Sequence, residues 1–173
     1  MEKKHKLDVV SIRLVEEPPL YSKKPLKNPG DVAEVMQGFL KDCDREIFCV
    51  LNLRTNGQAI NLNVVSMGTL NSATVHPREV FKSAILSNAC NMILAHNHPS
   101  GTTEPSRADI EVTKRLAEAG RIMGISVLDH IIVAEGQYFS FQEEHLLPEY
   151  FQQAGIVADQ NISYGRFEKN RER

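Results

Sequence analysis

A chain of 173 residues is long enough for one domain with a substantial core, and 42% hydrophobic with 24% charged residues is an ordinary globular composition. The net charge of −2 excludes a general electrostatic pull toward nucleic acid, and the charged N-terminus has no apolar run that reads as a signal peptide or membrane span. Cys43, Cys49 and Cys90 are odd in number and lack a C-x-x-C pair. Cys49 and Cys90 lie in apolar runs, so buried free thiols in a reducing, cytoplasmic setting are expected.

Residues 1–27 read as an N-terminal extension. Val9, Val10, Ile12, Leu14 and Val15 suit a single strand, after which Pro18, Pro19, Pro25 and Pro29 keep the chain extended. Lys23, Lys24 and Lys27 make a small basic cluster, read as part of a solvated linker. Asp31 is the expected N-cap of a helix to about Lys41, with Val32, Val35, Met36, Phe39 and Leu40 on one face. Ile47 to Leu53 is a nearly unbroken apolar run, the pattern of a strand covered on both faces. Thr55-Asn56-Gly57-Gln58 signals a hairpin into a second strand, Ala59 to Met67. Pro77 opens a helix whose core face is Val80, Phe81, Ala84, Ile85 and Ala89.

A strand from Asn91 to His96 follows. The next helix starts at Ser106, buries Ile110, Thr113, Leu116 and Ala117, and stops at Gly120 or Gly124. Ile125 to Ala134 is a strong strand, Glu135-Gly136 a tight turn and Gln137 to Phe141 the antiparallel partner. Residues 146–173 read as a C-terminal extension whose polar end, from Asn161, is expected to fray. The interleaving predicts an α/β (mixed α+β) fold, with a mixed, mostly antiparallel sheet flanked by helices.

The chemistry concentrates in Ala95-His96-Asn97-His98-Pro99-Ser100-Gly101 and Ser106-Arg107-Ala108-Asp109. On a strand, His96 and His98 point to one face and Asn97 to the other. Pro99 and Gly101 end the strand, and Asp109 falls on the first turn of the next helix. Two imidazoles and a carboxylate make three ligands and leave a fourth position open, as a catalytic zinc site requires. An isolated H-x-H is common, however, and Ser106-x-x-Asp109 is also a capping box that satisfies free amides at a helix start.

Taken together, these residues spell H-x-H-P-x6-S-x2-D, which resembles the signature of the JAMM/MPN metalloproteases. Val75-His76-Pro77-Arg78-Glu79-Val80-Phe81, the H-N-H-P-S-G run and Asp129-His130-Ile131-Ile132 narrow the resemblance to the RadC branch. It extends from about Leu26 to Phe141, and places a RadC-like JAB/MPN domain at 28–145. The resemblance implies a cytidine-deaminase-like JAB/MPN fold and one zinc ion per chain, held by His96, His98 and Asp109. It also implies a general base at the mouth of the upstream buried strand. Glu46 matches that position, ahead of Glu104 and Glu79, and Ser106 matches a serine that helps hold an oxyanion. His76 and Arg78 read as structural or substrate-contacting, and His130 either as an orienting partner of a ligand or as a satisfied core histidine.

The activity implied is zinc-dependent cleavage of a peptide or isopeptide bond, with iron or manganese also compatible with this ligand set. The branch's association with DNA repair supplies an alternative, an indirect role in DNA metabolism. RadC-like proteins usually carry a helix-hairpin-helix region ahead of this domain. The residues before 28 are too few to build one and lack its glycine-containing turns, which weakens an expectation of direct DNA binding. A metal-stabilised interaction module without catalysis is the third reading.

Overall fold

Five strands and three helices alternate along the described residues: α1 (Pro29–Leu40), β1 (Ile47–Leu53), β2 (Ala59–Met67), α2 (Pro77–Leu86), β3 (Asn91–Asn97), α3 (Arg107–Met123), β4 (Ser126–Ala134) and β5 (Gln137–Ser140). The structure is a computed structural model and describes residues 10–21, 26–68 and 75–147. Within them the sheet runs β2-β1-β3-β4-β5. Every neighbouring pair is antiparallel except β3 and β4, which are parallel and joined through α3. The predicted mixed, mostly antiparallel sheet with flanking helices is what forms.

β1 is apolar at both parities because both of its faces are covered. Cys49, Leu51 and Leu53, with Ile93 and Ala95 of β3, pack under Val32, Met36 and Leu40 of α1. Phe48 and Val50, with Met92 and Leu94, meet Val80, Phe81 and Ala84 of α2 and Val112 and Leu116 of α3. Even-numbered residues of β3 therefore face α2 and α3, and odd-numbered ones face α1. That parity decides where His96 and His98 project.

The structure corrects several expectations. Asn28, not Asp31, caps α1: its Oδ1 accepts from the Asp31 N–H at 2.9 Å, while the Asp31 carboxylate accepts from the Lys27 N–H at 3.0 Å. The Pro29 ring has no N–H to satisfy and a fixed φ, which suits the first helical position and moves the cap one residue ahead of it. On α2, Ile85 is 52% exposed, because Ser83 turns inward instead and accepts from Asn52 Nδ2 of β1 at 3.0 Å. Cys90 is exposed at the entry to β3, where its Sγ accepts from the Thr55 hydroxyl. Cys49 is buried as expected, and burial pushes its thiol up to about 12.

Val10 to Val15 form no strand and stay exposed; Val9 and the cluster lysines 23 and 24 lie outside the described residues. Most of the C-terminal extension, from residue 148 on, also lies outside them. α3 continues through Gly120 and ends at Gly124, whose φ of 70° is the left-handed conformation that glycine adopts without strain. Glu135-Gly136, with φ of 39° and 79°, forms the tight turn between β4 and β5.

Candidate metal centre

His96 and His98 sit at the carboxyl end of β3 on the face covered by α3. Pairing with β1 sets Phe48 opposite His96, and Glu46 stands two residues before Phe48, just outside β1. The Glu46 charge acts on both His96 and His98. Asn97 points the other way, as its parity requires, and takes over the end of the ladder. Its Oδ1 accepts from the Ile47 N–H at 2.8 Å and its Nδ2 donates to the Arg45 carbonyl at 3.0 Å. One amide side chain therefore grips the backbone on both sides of Glu46.

Beyond Asn97 the chain leaves the sheet. The His98 N–H still bonds the Val133 carbonyl, then Gly101, at φ 85°, bends back to bond the His98 carbonyl. The His98 ring donates from Nδ1 to the Thr102 carbonyl at 2.9 Å, since a carbonyl can only accept. In the neutral ring its Nε2 is consequently a lone pair. α3 begins at the Ser106 cap, where Asp109 Oδ2 accepts from the Ser106 N–H at 2.7 Å and from its hydroxyl at 2.6 Å. The anticipated capping role of Asp109 is present, and the carboxylate stays within reach of the histidines while it completes the box.

His96 Nε2 lies 3.0 Å from His98 Nε2 and 3.3 Å from Asp109 Oδ1, and His98 Nε2 lies 3.5 Å from Asp109 Oδ2. Ligands about 2.0–2.1 Å from a tetrahedral zinc would stand about 3.3 Å apart. Among the described residues this trio is the group of His, Cys, Asp and Glu side chains whose ligand atoms all fall within 4.8 Å of one another. The donor set fits a divalent metal with one position open.

The electrostatics agree with the geometry. Burial lowers the His96 pKa, against the raising effect of Asp109, so the ring favours its neutral, ligating form. The Asp109 carboxylate beside it raises that of His98. For Asp109 burial pushes upward, but the adjacent His96 and His98 rings outweigh it and hold the carboxyl well below the usual range. Phe48 stacks on His96 with ring centres 6.0 Å apart, and Phe141 stacks on His130 at 4.9 Å, closing the inner side with apolar walls.

The remaining candidates fall elsewhere. Glu79 is exposed on α2 and pairs with Lys82 at 2.5 Å. Glu104 is exposed on the loop between β3 and α3, where its N–H bonds the Thr102 hydroxyl. His76 caps α2 by accepting from the Arg78 N–H, a structural role. Two residues gain a significance that the sequence reading did not give them. Asn97 was expected only to point away from the histidines, and Thr113 only to fill the buried stripe of α3. Thr113 is instead hydrogen bonded to His130, which contacts His96. The available signal was a hydroxyl among apolar neighbours on that stripe.

A five-stranded mixed sheet with a His-His-Asp group at the carboxyl end of a central strand defines the class: an α/β domain with a three-residue group able to hold a metal ion. The family model of the RadC-like JAB domain matches residues 26–146, and the chain belongs to that family. Its sheet and helices are consistent with the JAB/MPN fold. A UPF0758 protein of Rubrobacter xylanophilus is 53% identical over 122 residues, covering 70% of this chain and 53% of that protein. UPF0758 proteins of Moorella thermoacetica (48% over 126 residues; 73% and 55%) and Methanosarcina mazei (45% over 130 residues; 75% and 55%) are similar. The chain spans about half the length of the curated relatives it matches. No helix among the described residues is long and apolar enough to cross a membrane.

Proposed function

We propose that this domain is a zinc-dependent amide hydrolase acting on a peptide or isopeptide bond. The observation that carries the reading is the convergence of His96 Nε2, His98 Nε2 and the Asp109 carboxylate at tetrahedral spacing, with the Glu46 charge acting on both histidines. Zinc, when held by these three residues, would supply Lewis acidity and lower the pKa of a bound water to near 7. Glu46 takes the proton of the attacking water on its carboxylate and delivers it to the nitrogen of the leaving amine. Asn97 fixes the backbone that carries this carboxylate. The Ser106 hydroxyl, whose proton rests on Asp109 Oδ2, turns to the carbonyl oxygen of the substrate as negative charge develops there.

The test combines metal content with hydrolysis. Untagged protein should carry or take up about one equivalent of zinc, and Asp109→Ala should lose it. Glu46→Gln should keep the metal and lose cleavage of a peptide library. Zinc retained with no cleavage by the unaltered protein would favour a metal-stabilised interaction module. Failure to bind zinc at all would leave Asp109 a helix cap and nothing more.

A further inference from the structure

Thr113 and His130 touch none of the ligand atoms that face the metal position, yet they form an unbroken buried chain to one ligand. Thr113 Oγ1 lies 2.5 Å from the backbone carbonyl oxygen of Asp109 and 2.6 Å from His130 Nδ1. His130 Nε2 in turn lies 2.8 Å from His96 Nδ1. Thr113, His130 and His96 are all essentially inaccessible to water.

The protons in this chain can run in one direction only. Two oxygens 2.5 Å apart need a hydrogen between them, and the carbonyl has none to give. The hydroxyl proton of Thr113 is therefore committed to Asp109, which leaves Thr113 Oγ1 an acceptor toward His130 Nδ1. His130 must carry its ring proton on Nδ1. Buried and neutral, it offers a lone pair at Nε2, and His96 Nδ1 must supply the hydrogen for that bond. His96 Nε2 is then a lone pair as well, and it points at the lone pair of His98 Nε2 across 3.0 Å. Two acceptors that close call for a cation between them.

A bulge puts the right residue in place. β3 and β4 pair Met92 with Val127 but Ile93 with Asp129, so Leu128 is the extra residue. Without it Leu94 would face Asp129, and a carboxylate would occupy the position next to His96. With it Leu94 faces His130, while Asp129 accepts instead from the Ser140 hydroxyl at 2.6 Å and the Gln142 N–H at 3.0 Å.

We infer that Thr113 and His130 are positioning residues that lock His96 as the Nδ1–H tautomer, so that its Nε2 is already a bare ligand atom before any metal arrives. The inference deepens the proposed metal centre and rests on that reading for its consequence. Free histidine favours the opposite tautomer, with the proton on Nε2, where it would block coordination. A hydroxyl on α3 that never meets the metal thus governs the affinity of the site.

The first experiment needs no variant. Nitrogen-15 correlation spectra of the histidine rings in metal-free protein should show His96 protonated at Nδ1, with a coupling across the hydrogen bond to His130 Nε2. A His96 ring protonated at Nε2 overturns the inference, whatever the protein does with zinc. The second experiment measures zinc affinity by competition with a chromogenic chelator. Thr113→Val keeps the shape but removes the acceptor, frees His130 to turn its proton toward His96, and should weaken zinc about 10- to 100-fold. Thr113→Ser restores the oxygen and should bind zinc like the unaltered protein. Equal affinity in the valine and serine variants would defeat the inference. Absence of zinc binding by the unaltered protein would defeat the metal centre itself and leave the tautomer to be judged from the spectra alone.

Discussion

Asn97 stands between the two ligand histidines and turns its back on the metal position. Its amide replaces the last rung of the β1–β3 ladder, satisfying the Ile47 N–H and the Arg45 carbonyl together. Asn97→Ala should leave both groups without this partner and cost about 1–3 kcal/mol, read from urea unfolding. Asn97→Asp keeps an acceptor for Ile47 but sets a carboxylate oxygen against the Arg45 carbonyl, so its stability should be no better. If Asn97 only tethered the loop after β3, neither change would move the unfolding midpoint. The ligand histidines were legible in the sequence because a strand's alternation and a nearby helix start are local rules. The nearness of Glu46 to them was not, since it depends on how two distant strands pair; the family resemblance singled out Glu46 as the general base. The partnership of Thr113 with His130 was beyond either route, because the bulge at Leu128 reverses which residue of Asp129-His130 faces His96.

At the scale of elements, α3 and the strands on either side of it form the rigid part of the centre. The helix starts at the Ser106–Asp109 box and ends where the Ile125 N–H bonds the Gly120 carbonyl at 3.0 Å. Gly120 is there because nothing larger fits: a Cβ at that position would come within 2.4 Å of the Ile125 carbonyl oxygen. Gly120→Ala should cost about 1–3 kcal/mol through overpacking, although alanine is the better helix former. A thermal melt that rises instead would show that the crossover from α3 into β4 can relax. Sequence reasoning left Gly120 and Gly124 both open as helix ends, because a close backbone approach and a left-handed cap use the same residue type. The limits of β1, and approximately those of β2, were readable from apolar patterning and the Asn56-Gly57 turn. The start of α1 was misplaced by three residues, since Asn28 and Asp31 are both good caps and only the proline between them favours Asn28.

For the whole molecule, a ligand that binds only the folded chain adds to its stability by mass action. Zinc at about 100 times its dissociation constant should add about 2.7 kcal/mol, which for a domain of this size is a rise of roughly 5–10 °C in Tm. Calorimetry with and without a chelator checks this. Asp109→Ala should show no zinc-dependent rise, while Glu46→Gln should show the full one, which separates holding the metal from using it. The part of the relatives that the match leaves uncovered bears on partners rather than on this centre. All of the residues invoked lie within the segment that the family match covers.

The metal ligands come from one short stretch, the end of β3 and the start of α3, whereas Glu46 arrives from a strand far earlier in the chain. Closing the candidate ligand trio therefore needs only a short loop to form, while bringing Glu46 to it needs the long-range pairing of β1 with β3. On the proposed reading, a partly assembled chain would already capture an ion, and the centre would become chemically competent only when the sheet is complete. An incompletely folded molecule would then hold a metal without the carboxylate that makes it hydrolytic.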